Sequence, residues 1–523
     1  MTAGAWVLVA VIGVPALGSA VVALVPGERG DRLAPLLGAV IGAVTLVLAG
    51  VAAFVFDHDA AGAVQLETDV AWVPAIDVRF HLGVDGISLP LLLLTALLSA
   101  LCLAYTTRVR PKAARPRAFV AVLLLLEVGL LGTFVALDLI LFFLFFEVVL
   151  IPMWFVIAVW GEPASDERSA AERPSSPSGT VRVREAANTF ILYTLLGSAI
   201  MVLGFLLVHA QTGTFDLVAL ADGAGAGMAR GTQVIAALAM LGGLAVKTPM
   251  WPLHSWLPDA HTAAPTVGSV LLAGALLKMG TYGMVRVVLP VVPEGAEVLA
   301  PYLGALGVIG ILYGSFACLA QTDLKRLIAF SSVGHMGFVL LGISTLTPAG
   351  INGALYANIA HGLITGLLFF VVGGIKDRHG SSSFDGVGRA LYARAPRLGA
   401  MLAFAAVASL GLPGLAGFWG EMLALLGAYD PSGALPRGLF LTLMALAGVG
   451  AVLTAGYLLQ TVRRVCQGPV DAAGRKPATP DLRPVEVLTW TPLVVLVVLL
   501  GLWPGLLLGL TDPAVGVLLG TAR

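Results

Sequence analysis

The chain has 523 residues, 58% of them hydrophobic and only 11% charged, with a mean hydropathy of +0.95. A soluble domain carries roughly 25% charged residues, so no soluble core accounts for this much apolar surface, whereas a bilayer does. Thirty basic residues balance thirty acidic ones, which excludes the basic footprint that nucleic acid needs, and three scattered cysteines, Cys102, Cys318 and Cys466, exclude a CxxC metal site or a disulfide framework.

A span needs about 20 mainly apolar residues. Candidates fall near 4–25, 34–56, 87–106, 118–136, 138–160, 186–210, 231–256, 262–290, 299–320, 325–346, 350–373, 397–428, 436–462 and 485–510. The first is long enough to span and lacks a basic leader, so it reads as a helix and not as a cleaved signal. The expected fold is all-α: one polytopic membrane domain over 1–523, with about fourteen transmembrane helices. Segment 57–86 is too polar to span and is expected to fold on the outer surface. The Ser/Pro-rich stretch 161–185 reads as a flexible cytoplasmic loop. The GAGAG run at 223–227 follows no strand, so it is not a nucleotide-binding turn.

With the N-terminus outside, 23 of the 30 Lys and Arg fall in cytoplasmic loops and four outside, while Lys247, Lys278 and Arg286 lie within spans. That asymmetry sets the orientation.

Two spans are interrupted, at KTPMWPLHSWLP (247–258) and at GLPGLAGFWGE (411–421). Proline removes a backbone donor and clashes with the preceding turn, and in lipid the freed carbonyls must find partners or line a wet cavity. Each break is the fourth helix of a five-helix block, 118–290 and then 299–462. Five is odd, so consecutive blocks have opposite orientation, the mark of an inverted repeat.

An ionisable side chain near the bilayer centre costs roughly 2.5–3.5 kcal/mol on insertion scales, so it is a functional candidate by default. Glu127, Glu147, Lys247, Lys278 and Glu421 fall inside spans, and His254, His261, His335 and His361 lie in or near them. Arg286 is near a helix end and can snorkel. A Glu147–Lys247 pair across two helices would relieve both burials, and its opening would change the lysine's proton affinity. Lys278 is the next titratable site, with His254 and His335 able to bridge longer gaps. Glu421 lies roughly 12 Å outward of its span's centre and suits a terminal relay. Structural readings stand beside these: a static Glu147–Lys247 pair, a Glu127 that satisfies a neighbouring helix, and histidines 261 and 361 that satisfy backbone groups. Asp259 shapes a turn, and Trp251, Trp256 and Trp419 anchor packing.

Only six of the thirty basic residues are lysine, yet both central intramembrane cations are. Arginine stays protonated, whereas a buried lysine can lose its charge. A proton relay needs the second kind.

The segments 247–283 (KTPMWPLHSWLPDAHTAAPTVGSVLLAGALLKMGTYG) and 323–338 (DLKRLIAFSSVGHMGF) closely resemble signatures of the antiporter-like membrane subunits of respiratory complex I, bacterial NADH–quinone oxidoreductase. The resemblance covers about 80–460. GVDGISLPLLLLT (83–95), FFEVVLIPMW (145–154) and PGLAGFWGE (413–421) look most like the family's M branch, where the broken second-repeat helix carries a glutamate in place of a lysine. The resemblance implies two inverted five-helix bundles. It also implies that Glu147 and Lys247 form a coupling pair, Lys278 the central relay, His254 and His335 bridges, and Glu421 the outward exit; His361 is a site candidate from its place in a span alone.

The function so implied is proton translocation coupled to redox chemistry in partner subunits of a bacterial inner-membrane complex. NADH, flavin, iron–sulfur clusters and quinone are expected in those partners and none in this chain, with L-type and N-type subunits on either side. The rivals are a subunit of a sodium/proton antiporter or of a membrane-bound hydrogenase, a passive scaffold, and a solute transporter.

Overall fold

A computed structural model describes residues 5–109, 115–162, 179–469 and 480–521. Among them, twelve helices are long and apolar enough to cross a membrane. In chain order come α1 (Ala5–Leu24), α2 (Gly27–Val55), α3 (Ser88–Thr106), α4 (Pro116–Val135) and α5 (Leu139–Trp160). Next are α6 (Gly179–Thr212), α7 (Arg230–Lys247), α8 (Trp256–Ala263) and α9 (Thr266–Val291). Then follow α10 (Pro293–Leu319), α11 (Leu324–Ser344), α12 (Pro348–His379), α13 (Pro396–Ser409) and α14 (Ala416–Tyr429). The described chain closes with α15 (Arg437–Cys466), α16 (Pro484–Leu502) and α17 (Gly505–Leu518).

The breaks fall where the prolines and glycines put them. Helix α7 stops at Lys247 and α8 resumes at Trp256, across Pro249 and Pro252. Helix α13 stops at Ser409 and α14 starts at Ala416, with Gly411 and Gly414 at φ +72° and +93° between them. These left-handed values cost glycine little. Helix α5 is kinked at Val149. Pro152, three residues on, cannot donate to the carbonyl of Val148, which frees that turn. Helix α9 carries two π-helical stretches, Leu272–Leu276 and Met284–Val288, on either side of Lys278. Such stretches concentrate at functional sites.

Centrality follows from burial. The most apolar windows of α9, α11 and α12 are 94%, 94% and 100% buried, against 28% for α1, α2 and α15. The outer helices turn Leu17, Phe54, Leu196 and Val452 outward, as a lipid-facing rim requires.

Three details differ from the sequence reading. The polar segment after α2 is a β-hairpin, β1 (Gln65–Val73) paired antiparallel with β2 (Val78–Val84), the one sheet among the described residues. Helix α6 begins at Gly179, so the end of the expected 161–185 loop is helical, while 163–178 lie outside the described residues. The final expected span stops at Leu502, because Pro504 cannot continue the ladder, and α17 is a separate helix.

The hairpin marks one end of the bundle. Asp138 caps α5 through the amides of Ile140 and Leu141 and also accepts from the Arg79 amide, which ties hairpin to helix. His81 is clasped at 2.7 Å by Asp216 on one side and by Glu67 on the other. Burial opposes charge on that ring, but the hydrogen bond and charge of Asp216 and the bond to Glu67 outweigh it, so His81 titrates above an ordinary imidazole. Arg286 does not snorkel freely: its guanidinium sits 2.7 Å from Asp85, whose other oxygen caps the start of α3.

Candidate functional site

Helices α9, α11 and α12 form the buried centre and are joined by polar side chains at their middle. Lys278 is fully buried, and its ammonium donates to the Ala273 carbonyl at 2.5 Å, inside the first π-helical stretch. The same nitrogen lies 2.6 Å from Nδ1 of His361 on α12. Amine and imidazole are both bases, so a single proton fits between them and can sit on either.

The His361 ring faces that of His335 on α11, with centroids 5.7 Å apart. His335 Nδ1 lies 3.1 Å from Glu421 Oε1 on α14, and its Nε2 lies 2.9 Å from Ser409 Oγ at the end of α13. A neutral ring can donate from Nδ1 to the carboxylate and accept from the serine. Gaining a second proton only requires the serine hydroxyl to turn. The α13–α14 break is therefore what brings Ser409 and Glu421 together around His335. His335, His361, Ser409 and Glu421 line a cavity of about 20 Å³, enough for one water. Lys278, His361, His335 and Glu421 thus make a short polar path through an apolar bundle.

Glu147 and Lys247 lie within electrostatic reach of each other but are not an ion pair in this structure. Lys247 is buried, its ammonium 4.4 Å from the centre of the Phe146 ring and without a hydrogen-bond partner. Glu147 sits at the α5 kink beside Ser198 on α6. Glu147 is partly exposed, and its Oε1 is buried with no hydrogen-bond partner among the described residues.

His254 lies apart from this path: its ring packs on Tyr313 and Phe330, with centroids 4.8 and 6.5 Å away. His254 lies in the break between α7 and α8, outside both helices. His361 takes the bridging place. Glu127 is fully buried on α4, with neither carboxyl oxygen hydrogen-bonded. His261 stacks on Phe369 at 4.5 Å. Ser409 went unread in the sequence; its only signal there is its place just ahead of the glycine-rich break.

Twelve membrane-length helices around a buried chain of titratable groups, with two helices broken, define a polytopic membrane protein with ionisable side chains at its core. The profile of the NADH:quinone oxidoreductase/Mrp antiporter transmembrane family matches residues 177–449. NADH-quinone oxidoreductase subunit M of Rhodobacter capsulatus is 38% identical, over 96% of this chain and 94% of that protein. NADH-ubiquinone oxidoreductase chain 4 of Arabidopsis thaliana is 36% identical, over 94% and 92%. The chain belongs to the antiporter-like membrane subunit family of NADH:quinone oxidoreductases and Mrp antiporters. Among solved structures, a chain of respiratory complex I from Thermus thermophilus superposes with a TM-score of 0.83 at 28% identity, covering 99% of this chain and 100% of that one. A chain of the Mrp complex from Dietzia shares the fold, with a TM-score of 0.82 at 22% identity, covering 100% of both chains.

Proposed function

We propose that this chain is the M-type proton-translocating subunit of a bacterial NADH–quinone oxidoreductase. The observation that carries the reading is the contact series Lys278–His361–His335–Glu421 at the buried centre of the bundle. The relatives named as subunit M and chain 4 support the complex, and they match nearly the whole chain. A glutamate at 421 favours this reading over a sodium/proton antiporter subunit.

The arginine-rich loops face the cytoplasm, so the N-terminus and the hairpin end face outward. Glu421 is eight residues from Tyr429, where α14 ends beside the hairpin side of the bundle, which suits outward release. The chain itself moves protons; NADH, flavin, iron–sulfur clusters and quinone belong to partner subunits, and L-type and N-type subunits flank it.

The mechanism is electrostatic. A charge change in a neighbouring subunit moves Glu147 relative to Lys247, and the altered field at Lys278 shifts the shared proton onto His361. His361 passes it through the adjoining cavity to His335, and Glu421 takes it toward the outer face. Each carrier then returns to its starting state.

Lys247→Ala tests the reading in inverted membrane vesicles. NADH oxidation through artificial acceptors should persist while NADH-driven acidification falls. Full acidification in that variant would leave the chain a passive scaffold.

A further inference from the structure

Resting on that proposed function, we infer that protons reach Lys278 from the arginine-rich end of the bundle by way of Glu162, Lys376, Lys325 and His261. The first ground is a pattern among the cations. Four of the six lysines lie among the described residues, and all four are buried: Lys247, Lys278, Lys325 and Lys376 are exposed by 1%, 0%, 1% and 6%. The other two, Lys112 and Lys476, lie outside the described residues. The buried arginines are held differently. Arg286 and Arg378 each sit against a carboxylate, Asp85 at 2.7 Å and Glu486 at 2.6 Å. Those charges are permanent and structural. Lys325 instead donates to the Ala264 carbonyl, at 2.5 Å, and forms no ion pair among the described residues. A chain that uses arginine for four-fifths of its cations uses lysine where charge must come and go.

The second ground is the arrangement. Glu162, just past the end of α5, pairs with Lys376 on α12 at 3.2 Å. Glu162 lines two cavities. One, of about 370 Å³, opens beside Arg182, Glu185, Asp259 and Arg326. The other, of about 30 Å³, is lined by Tyr105, Lys325, Lys376 and Asp377 besides Glu162. Glu162 is thus shared by a wide polar vestibule and a narrow pocket, and its partner Lys376 lines the narrow pocket together with Lys325. Lys376, Glu162, Asp323 and Asp377 all act electrostatically on Lys325.

His261 closes the remaining gap. It is fully buried, neither ring nitrogen has a hydrogen-bond partner, and it lies within electrostatic reach of both Lys325 and Lys278. Phe369, stacked on it, belongs to α12, between His361 and Lys376. The fifteen residues from His361 to Lys376 cover roughly 22 Å of helix, about the depth from the relay to the bundle's end.

The transfers need nothing but protons. When the Glu162–Lys376 pair parts, an excess proton carried by water from the cytoplasmic side enters the narrow pocket and binds the neutral Lys325 amine, leaving the water neutral. His261 accepts it at one ring nitrogen and releases the proton on the other to neutral Lys278. Lys325 is then neutral again, and His261 regains its first tautomer when its ring turns over. The ion pair, when closed, bars the pocket.

Lys325→Arg separates relay from support, because arginine keeps the charge and the bond to Ala264 but cannot release its proton. In inverted vesicles, with assembly checked by NADH oxidation through artificial acceptors, its proton yield per NADH should drop as far as that of Lys247→Ala. Glu162→Gln, which removes the bar's charge, should assemble and change the dependence of pumping on cytoplasmic-side pH. If Lys247→Ala loses pumping while Lys325→Arg and Glu162→Gln pump as the parent does, this intake route is wrong and the proposed function stands. Full pumping in Lys247→Ala would overturn both.

Discussion

Lys278 and His361, 83 residues apart in sequence, share one proton position at 2.6 Å in the buried centre of the bundle. Removing the imidazole leaves the amine with only the Ala273 carbonyl. His361→Ala should therefore cost roughly 1–3 kcal/mol of stability, the penalty for an under-satisfied buried polar group, and should reduce pumping. His361→Gln restores a hydrogen-bonding side chain but no proton carrier. Thermal denaturation of the purified complex should show Gln recovering stability, while vesicle acidification stays low in both variants.

Gly411 tests the geometry of the second break. Its φ is +72°, and a Cβ there would lie 2.9 Å from Glu421 Oε2. Gly411→Ala should cost on the order of 1–3 kcal/mol through backbone strain and displace the carboxylate from His335. Gly13→Ala, where a Cβ meets nothing within 4 Å, is the control and should behave as the parent. The comparison is read as proton yield per NADH in matched vesicles.

The hairpin should weaken as pH rises. His81 titrates above its unfolded value because Asp216 and Glu67 hold its charge against the cost of burial. Its contribution is therefore complete below the unfolded imidazole value of about 6.5 and is lost as pH climbs through the raised folded value. Hydrogen exchange of the hairpin amides, corrected for intrinsic rates, should show protection falling over that range. In His81→Gln the protection should be lower at acid pH and flat across it.

Arg378 and Glu486 join α12 to α16 with both side chains at or below 1% exposure, and the guanidinium also donates to the Pro480 and Asp481 carbonyls. Arg378→Ala strands a buried carboxylate, which costs about 3–5 kcal/mol. The variant should assemble poorly. Arg378→Met combined with Glu486→Met should recover assembly better than Arg378→Ala does, as measured by the amount of intact complex on a native gel.

Hydropathy made the spans legible, because a bilayer leaves a twenty-residue apolar signature that folding cannot disguise. Proline and glycine made both breaks legible for a local reason, the missing donor at Pro249 and Pro252 and the positive φ at Gly411 and Gly414. The hairpin was not legible: β2 is anchored by Asp138 and Asp216, which come from elsewhere in the chain. The site divided in the same way. Single letters marked Lys278, His335 and Glu421 as improbable in lipid, but partnership needs three dimensions. His254 packs on Tyr313 in the first break, whereas His361 meets Lys278 across two helices. Ser409 carries no sequence signal that separates it from an ordinary cap, and Lys325 stands out only as one of six lysines among thirty cations.

The central claim is that Lys278 must give up its proton. Lys278→Arg keeps the charge and the donor at that position but removes the ability to deprotonate. The proton-to-electron ratio during NADH oxidation, measured in inverted vesicles containing the intact complex, decides the matter. The account predicts a ratio well below that of the parent with NADH oxidation through artificial acceptors retained; an unchanged ratio would contradict it.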